Sequence, residues 1–217
     1  MLSGSQVSKT GVMNIDATIR AVQTKLGVGV DGKAGPATWE AIHLRIVGKK
    51  TASSTPLGRP PAASAQVDER SERTIVTLQP EVRPYARALV LKAAALGITI
   101  KVISGLRTYD EQNALYAQGR SKPGRIVTNA RGGFSNHNFG IAFDIGVFRG
   151  ATYVPESPQY KVIGALGAEL GLEWGGNWTS LKDEPHFQLR PAWARGSERE
   201  MLAEMRSRKE SGNAIYA

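Results

Sequence analysis

A stretch rich in alanine, serine and proline divides this chain into two unequal parts. It reads "TASSTPLGRPPAASAQ" (Thr51–Gln66) and offers no apolar face to bury, so it predicts an extended linker. A long surface loop within one domain is the alternative, but unstructured loops of this length are uncommon in compact domains. We therefore expect a small unit over residues 1–50, a linker over 51–73 and a larger unit over 74–217.

The small unit has the pattern of two short helices around a turn. Its first apolar positions recur at helical spacing up to Gly27, which is a natural stop; they are Ile15, Ile19, Val22 and Leu26. Asp31-Gly32 and Gly35-Pro36 are turn signals, and a second helix follows. The pattern predicts a small all-α module that is marginally stable alone.

The larger unit mixes helices and strands without regular βαβ repetition. Helices are predicted over 84–96, 109–118 and 158–170, with an amphipathic helix from Ser197, and strands over 98–104, 141–148 and in "HFQLRP". This order favours an α+β fold, with a small, mainly antiparallel sheet and flanking helices.

Composition limits the possible partners and chemistry. The formal net charge of +9 favours an anionic partner, such as nucleic acid, a bacterial envelope or an anionic membrane surface. The absence of cysteine excludes disulfides, thiolate metal sites and a cysteine nucleophile. No apolar run is long enough to predict a transmembrane segment. The first residues lack the features of a secretory signal, so we expect no signal peptide.

One carboxylate lies inside an apolar strand, in "SNHNFGIAFD" (residues 135–144). Asp144 is costly there unless an arginine, a cluster of backbone amides or a metal ion neutralises it. Strand alternation places the small residues Ala142 and Gly146 on its face, which leaves room beside the carboxylate. Gly140 allows a turn that brings His137 back over Asp144.

A second histidine occurs in "LKDEPHFQL", three residues after Asp183. Two histidines, a carboxylate and an open position make a catalytic zinc site, and a further carboxylate is then needed to move protons. Asp183 is the better-placed candidate, with Glu184 as the alternative. Taken singly, each residue also has an ordinary structural explanation: Asp144, for example, could pair with Arg107 or with Arg131.

Three motifs together resemble the D-alanyl-D-alanine carboxypeptidase/VanY-like zinc peptidases, over roughly residues 78–189. "SNHNFGIAFD" fits SxHxxGxAxD, "DEPHF" fits DxxH, and "SGLRT" fits SxxR. The resemblance implies one zinc ion held by His137, Asp144 and His186. It also implies Asp183 as general base and acid and Arg107 on the substrate carbonyl or oxyanion. Substrate contacts are expected from Ser104, Ser135 and Trp178.

The sequence around the last histidine looks most like the L-alanyl-D-glutamate peptidases of phages and bacteria, because Asp183 and Pro185 stand there. The N-terminal string "AVQTKLGVGVDGKAGPATWEAI" is similar to three-helix peptidoglycan-binding domains. That similarity implies cell-wall contacts, which we assign to Asp31, Gly32, Gly35, Thr38 and Trp39.

These observations predict a monomeric, endolysin-like peptidoglycan hydrolase with one zinc ion per chain. Its partners would be bacterial peptidoglycan and, through its basic surface, anionic envelope components. We expect synthesis in the cytoplasm and, by family analogy, holin-dependent release to the periplasmic or extracellular wall. A D-alanyl-D-alanine carboxypeptidase and a non-catalytic wall-binding protein are the alternatives. Nucleic acid is not expected, because the tryptophans do not interleave with a basic stripe.

Overall fold

A computed structural model describes residues 14–46, 66–179 and 182–217 of the 217-residue chain. The chain divides between Ser54 and Thr55 into two compact units. Residues 51–65 of the predicted linker lie outside the described part. In the described residues, no helix is long and apolar enough to cross a membrane.

The N-terminal unit contains the two predicted helices, α1 (Ile15–Leu26) and α2 (Pro36–Ile46). The side chain of Asn14 caps the start of α1, and Gly27 ends it in the left-handed conformation. The predicted apolar stripe of α1 is only partly buried, because Ile15 is 70% exposed while the polar Gln23 is buried.

Gln23 is buried because its side chain holds the turn between the two helices. Its amide nitrogen donates to Asp31 Oδ1 (2.7 Å), to the Lys33 carbonyl (3.0 Å) and to Thr38 Oγ1 (2.9 Å). Its amide oxygen accepts from the Gly32 backbone N–H (2.9 Å). A buried amide needs such partners. The hydrogen bonds of this one side chain, which we call the Gln23 clip, therefore organise the small unit in place of a large apolar core.

The C-terminal unit is α+β, as predicted. Its helices are α3 (Glu69–Ile75), α4 (Arg83–Ala95), α5 (Tyr109–Ala117), α6 (Gln159–Glu169) and α7 (Glu198–Glu210). Its strands are β1 (Thr99–Ser104), β2 (Ala142–Arg149), β3 (Thr152–Val154), β4 (Glu173–Trp174) and β5 (His186–Gln188). The sheet has the order β1-β2-β5-β4, with β3 paired to the end of β2, and every pairing is antiparallel.

Helix α3 lies partly within the segment assigned to the linker, so residues 69–73 belong to the folded unit. The short, charged sequence "ERSER" shows no apolar periodicity, but it is anchored from elsewhere in the chain. The Ser71 hydroxyl is fully buried and accepts from the backbone N–H of Val102 on β1 (2.9 Å). Glu72 forms an ion pair with Arg87 on α4 (2.7 Å).

The central strand β2 separates the main core from the polar site. Phe143, Ile145 and Val147 are buried on one face, in a cluster with residues of α4 and α6. Ile141 is buried in a second cluster with Met201 and Met205 of α7. The predicted shared face is therefore confirmed for Phe143, Ile145 and Val147 but not for Ile141, and Asp144 lies on the opposite face.

Candidate metal centre

Strand pairing places Asp144 at the middle of the site. In the sheet register Asp144 lies opposite Ser104 at the end of β1 and opposite His186 at the start of β5. Directly opposed residues of antiparallel strands project on the same side, with Cβ atoms about 5 Å apart. The sheet therefore brings together two predicted ligands that are far apart in sequence.

His137 reaches the same point from a 3-10 turn, Asn136–Phe139, that ends at Gly140. Gly140 has a φ of 68°, in the left-handed region that favours glycine. Its backbone N–H donates to the His137 carbonyl (3.2 Å), and its carbonyl accepts from the Gln79 N–H (3.0 Å). The predicted role of Gly140 in turning the chain is confirmed.

The three predicted ligand atoms form a nearly equilateral triangle. His137 Nε2, His186 Nδ1 and Asp144 Oδ1 lie 3.3 Å from one another. Zinc bonds of about 2.0–2.2 Å in tetrahedral geometry require ligand atoms about 3.3–3.5 Å apart. Asp144 Oδ1 is buried without a hydrogen-bond partner, which is costly unless a cation satisfies it. The residues therefore fit a metal ion.

The outer nitrogen of each histidine is hydrogen-bonded. His137 Nδ1 lies 2.8 Å from the Gly105 carbonyl, and His186 Nε2 lies 2.9 Å from the side-chain oxygen of Gln188. A donor at each outer nitrogen leaves the lone pair of the inner nitrogen for a metal. Gln188 lies in the strand predicted at "HFQLRP", but sequence analysis gave it no role.

Burial and neighbouring charges shift the pKa values of three groups in the site. Burial alone would raise the pKa of Asp144, but the two imidazoles beside it hold that pKa well below its usual range. Burial opposes protonation of His186, but the neighbouring Asp144 carboxylate raises its pKa. Burial, followed by the charge of Asp144, raises the pKa of Asp183.

The triad opens onto a cleft of about 570 Å³. Arg107, Ser135, Trp178 and Asp183 line it together with the ligands. Glu184 does not line this cleft; its carbonyl accepts from the Trp174 indole (2.7 Å).

Asp183 is held close to the ligands through its backbone. Its N–H donates to the Gly175 carbonyl, and its own carbonyl accepts from the His186 N–H, both at 3.1 Å. A Cβ on Gly175 would lie 2.5 Å from the Asp183 carbonyl oxygen. The site therefore requires a residue without a side chain at position 175.

Arg107 is fixed by two neutral partners. It donates to Gln112 Oε1 (2.7 Å) and to Ser104 Oγ (3.1 Å), while its guanidinium lies 3.9 Å from Asp144 Oδ2. Ser104 therefore orients Arg107 and lines a neighbouring groove that shares this arginine. The alternative partner of Asp144, Arg131, instead lies over the Tyr116 ring, 5.0 Å from its centroid.

Gly146 and Trp178 bear on the questions of space beside Asp144 and of aromatic contact with a ligand. The room expected beside Gly146 is filled, because a Cβ there would lie 2.8 Å from the Tyr153 ring. The Trp178 ring lies 4.9 Å from the His186 ring, so it forms a wall of the cleft against one ligand.

In the N-terminal unit, the residues predicted to bind the cell wall have different environments. Asp31, Gly32 and Thr38 are engaged by the Gln23 clip, and Asp31, Gly35 and Thr38 line a shallow cleft. Trp39 is 60% exposed. Trp39 and Asp31 therefore both have surface available for a partner.

Comparison with known proteins identifies the larger unit. A family profile described as D-alanyl-D-alanine carboxypeptidase matches residues 128–189, which include all three ligands. The peptidoglycan L-alanyl-D-glutamate endopeptidase CwlK of Bacillus subtilis is 38% identical over 124 residues, covering 52% of this chain and 74% of that protein. The chain belongs to the VanY-like M15 peptidase family. This family is zinc-dependent, in agreement with the ligand triangle.

Other M15 proteins show more distant likeness. The L-alanyl-D-glutamate peptidase of Listeria phage A118 is 30% identical over 123 residues, which are 55% of this chain but only 41% of the phage protein. Among solved structures, the L-Ala D-Glu endopeptidase ChiX of Serratia marcescens is 28% identical with a TM-score of 0.44; the match covers 56% of this chain and 86% of that chain.

Proposed function

We propose that this M15 peptidase is a modular peptidoglycan hydrolase that cuts the L-alanyl-D-glutamate bond of the stem peptide. The observation that carries the proposal is the three-ligand triangle at the floor of a cleft that also holds Asp183 and Arg107. The bond specificity is supported by the similarity to CwlK, which is named as an L-alanyl-D-glutamate endopeptidase and is matched over 74% of its length. The name of the phage relative specifies the same bond.

Zinc held by His137, Asp144 and His186 would supply a Lewis acid that polarises a carbonyl and acidifies water. Asp183 would accept the proton of the attacking water and deliver it to the leaving amine. Arg107 is held rigid by Gln112 and Ser104, so its guanidinium can bind the carbonyl oxygen as negative charge develops there. Trp178 and Ser135 line the same cleft and would contact the peptide.

The N-terminal unit would hold the enzyme on the cell wall. The exposed Trp39 ring suits stacking on a sugar or a peptide, and the shallow cleft in the same unit is lined by Asp31, Gly35 and Thr38. Tethering such a unit to the peptidase raises the local concentration of scissile bonds. The net charge of +9 adds a salt-sensitive attraction to anionic envelope components.

A D-alanyl-D-alanine carboxypeptidase is the second candidate, because the matching family profile carries that description. The same ligands, base and arginine would serve both reactions, so the two activities differ in the bond that the cleft presents to the metal. The endopeptidase and the carboxypeptidase can therefore be distinguished by the products that they release.

Mass analysis of peptides released from purified sacculi tests the proposal. An L-alanyl-D-glutamate endopeptidase leaves L-alanine on the glycan and releases peptides that begin with D-glutamate. A carboxypeptidase leaves the stem attached and releases free D-alanine. Recovery of D-alanine alone would replace the first activity with the second. Absence of any product with zinc-loaded protein would contradict both.

A further inference from the structure

Five polar side chains form a closed hydrogen-bonded ring that includes Gln188, the partner of the outer nitrogen of His186. The side-chain oxygen of Gln188 accepts from His186 (2.9 Å) and from Asn136 (2.6 Å), and its side-chain nitrogen donates to Glu173 (2.6 Å). Arg190 donates to Glu173 (2.6 Å) and to Glu198 (2.8 Å). Asn136 completes the ring by donating to Glu198.

The sheet builds this ring from separate segments. Glu173 on β4 lies opposite Gln188 on β5, and Gln188 lies two residues from His186 on the same strand. Gln188 is 1% exposed, and Asn136 is 7% exposed. Burial makes an unmatched donor or acceptor of Gln188 costly, so each of its hydrogen bonds must be correctly oriented.

The carboxylate of Glu173 fixes the direction of the bonds that lead to the metal. A carboxylate only accepts hydrogen bonds, so Gln188 must turn its NH₂ group towards Glu173. Its oxygen then faces His186 and can only accept. The proton of His186 is therefore held on Nε2, and the lone pair on Nδ1 points into the ligand triangle.

We propose that Glu173 is a positioning residue, which acts through the orientation of Gln188 to keep His186 in the tautomer that binds the metal. Glu173 belongs neither to the ligand triangle nor to the lining of the cleft. The inference rests on the proposed metal site but not on which peptide bond is cut. The competing explanation is that Glu173 serves only as an ion-pair partner of Arg190.

The variant Glu173→Gln separates these explanations. Arg190 is a donor, so the new amide at position 173 would turn its oxygen to Arg190 and its NH₂ group to Gln188. Gln188 would then rotate and present its own NH₂ group to His186, which drives the histidine proton to Nδ1. We expect zinc affinity to fall by about 10–100-fold, the usual effect of losing a residue that orients a metal ligand.

Arg190→Met is the matched control, since it removes the ion pair with Glu173 but leaves the hydrogen bond between Glu173 and Gln188. If Glu173 served only as the partner of Arg190, losing either residue would have the same effect. We expect its zinc affinity to stay within about threefold of that of the unaltered protein. Equal losses in the two variants would overturn the proposal in favour of the ion-pair explanation.

The double variant Glu173→Gln/Gln188→Glu provides a rescue. The carboxylate introduced at position 188 would accept from His186 and Asn136 and also from the NH₂ group introduced at position 173, so every donor again meets an acceptor. We expect zinc affinity to return to within several-fold of the original. A double variant that is weaker than Glu173→Gln would contradict the proposal.

Two measurements on the full chain decide the outcome. Chelator competition gives the zinc dissociation constant, and long-range ¹H–¹⁵N NMR of the zinc-loaded protein shows whether His186 carries its proton on Nε2. We expect an Nε2 proton that is protected from exchange with solvent in the unaltered protein and one that exchanges faster in Glu173→Gln. Unchanged proton exchange and affinity in Glu173→Gln would overturn the proposal. Neither measurement depends on peptide cleavage, so failure of the proposed function would be seen separately.

Discussion

At the scale of single residues, Asp144 shows how chemistry can be recognised in a buried strand. A carboxylate among apolar residues is unfavourable unless it is paired, and here its Oδ1 atom lies 3.3 Å from a nitrogen of each of two histidines. The sequence suggested both histidines because each stands near a carboxylate at a loop-to-strand junction. The hydrogen bonds that orient them could not be predicted in the same way, because they depend on contacts between segments that are distant in sequence.

Asp183→Asn tests the assignment of the general base. The amide cannot accept a proton, but the three ligands remain. We expect zinc to stay bound while turnover falls by roughly 10²–10⁴-fold, the usual contribution of an acid–base group. Metal analysis and turnover on soluble muropeptides measure the two effects. Glu184→Gln is the control, because Glu184 does not line the cleft; a larger loss in that variant would show that the wrong carboxylate had been chosen.

Arg107→Lys tests whether the guanidinium acts on the substrate. Lysine keeps the positive charge but cannot reproduce the two-pronged geometry fixed by Gln112 and Ser104. We expect a lower turnover with little change in the melting temperature. A lower melting temperature with turnover retained well below the transition would indicate a structural role instead.

At the scale of elements, long periodic segments were predictable and short polar ones were not. The sequence predicted β2 from its alternation, and α7 from Met201, Leu202 and Met205, which are buried. It missed α3, whose place depends on a buried Ser71 that bonds to β1. It also missed β4, which has two residues. The ring around Gln188 was equally hidden, because four segments contribute to it.

The turn that carries His137 should be sensitive to a side chain at Gly140. Gly140→Ala forces alanine into the left-handed region, at a cost of about 1–2 kcal/mol, and places a Cβ 3.2 Å from the Gln79 nitrogen. Gly97→Ala is a matched control, because Gly97 has a φ of 72° but open space around it. We expect both to lower the free energy of unfolding, and only Gly140→Ala to weaken zinc binding. Chemical denaturation and chelator competition measure the two effects, and equal zinc affinities in the two variants would refute this role.

At the scale of the whole molecule, the two compact units predict two separable activities. All predicted ligands and the base lie in the C-terminal unit, whose core is its own. A fragment beginning at Val67 should keep zinc and cleave soluble muropeptides, but it should act more weakly on intact sacculi, since the tether is lost. Cleavage assays on both substrates measure this. Undiminished action on sacculi would argue against a wall-binding role for the N-terminal unit.

The fragment ending at Lys50 tests the wall-binding role from the other side. It should bind sacculi and cleave nothing. If binding depends only on charge, it should vanish at high salt, because exposed charges are screened beyond about 10 Å at 0.1 M salt. Sedimentation with sacculi at low and high salt distinguishes the two, and the proposed module requires binding that survives added salt.

The most direct test of the account is the position of the metal, because the proposed chemistry requires three protein ligands and an open place for water. Anomalous diffraction at the zinc edge from crystals of the zinc-loaded protein gives that position. We predict a single strong peak about 2.0–2.2 Å from His137 Nε2, His186 Nδ1 and an Asp144 oxygen, with its remaining position facing the cleft. A peak elsewhere, or a fourth protein ligand that closes the site, would contradict the account.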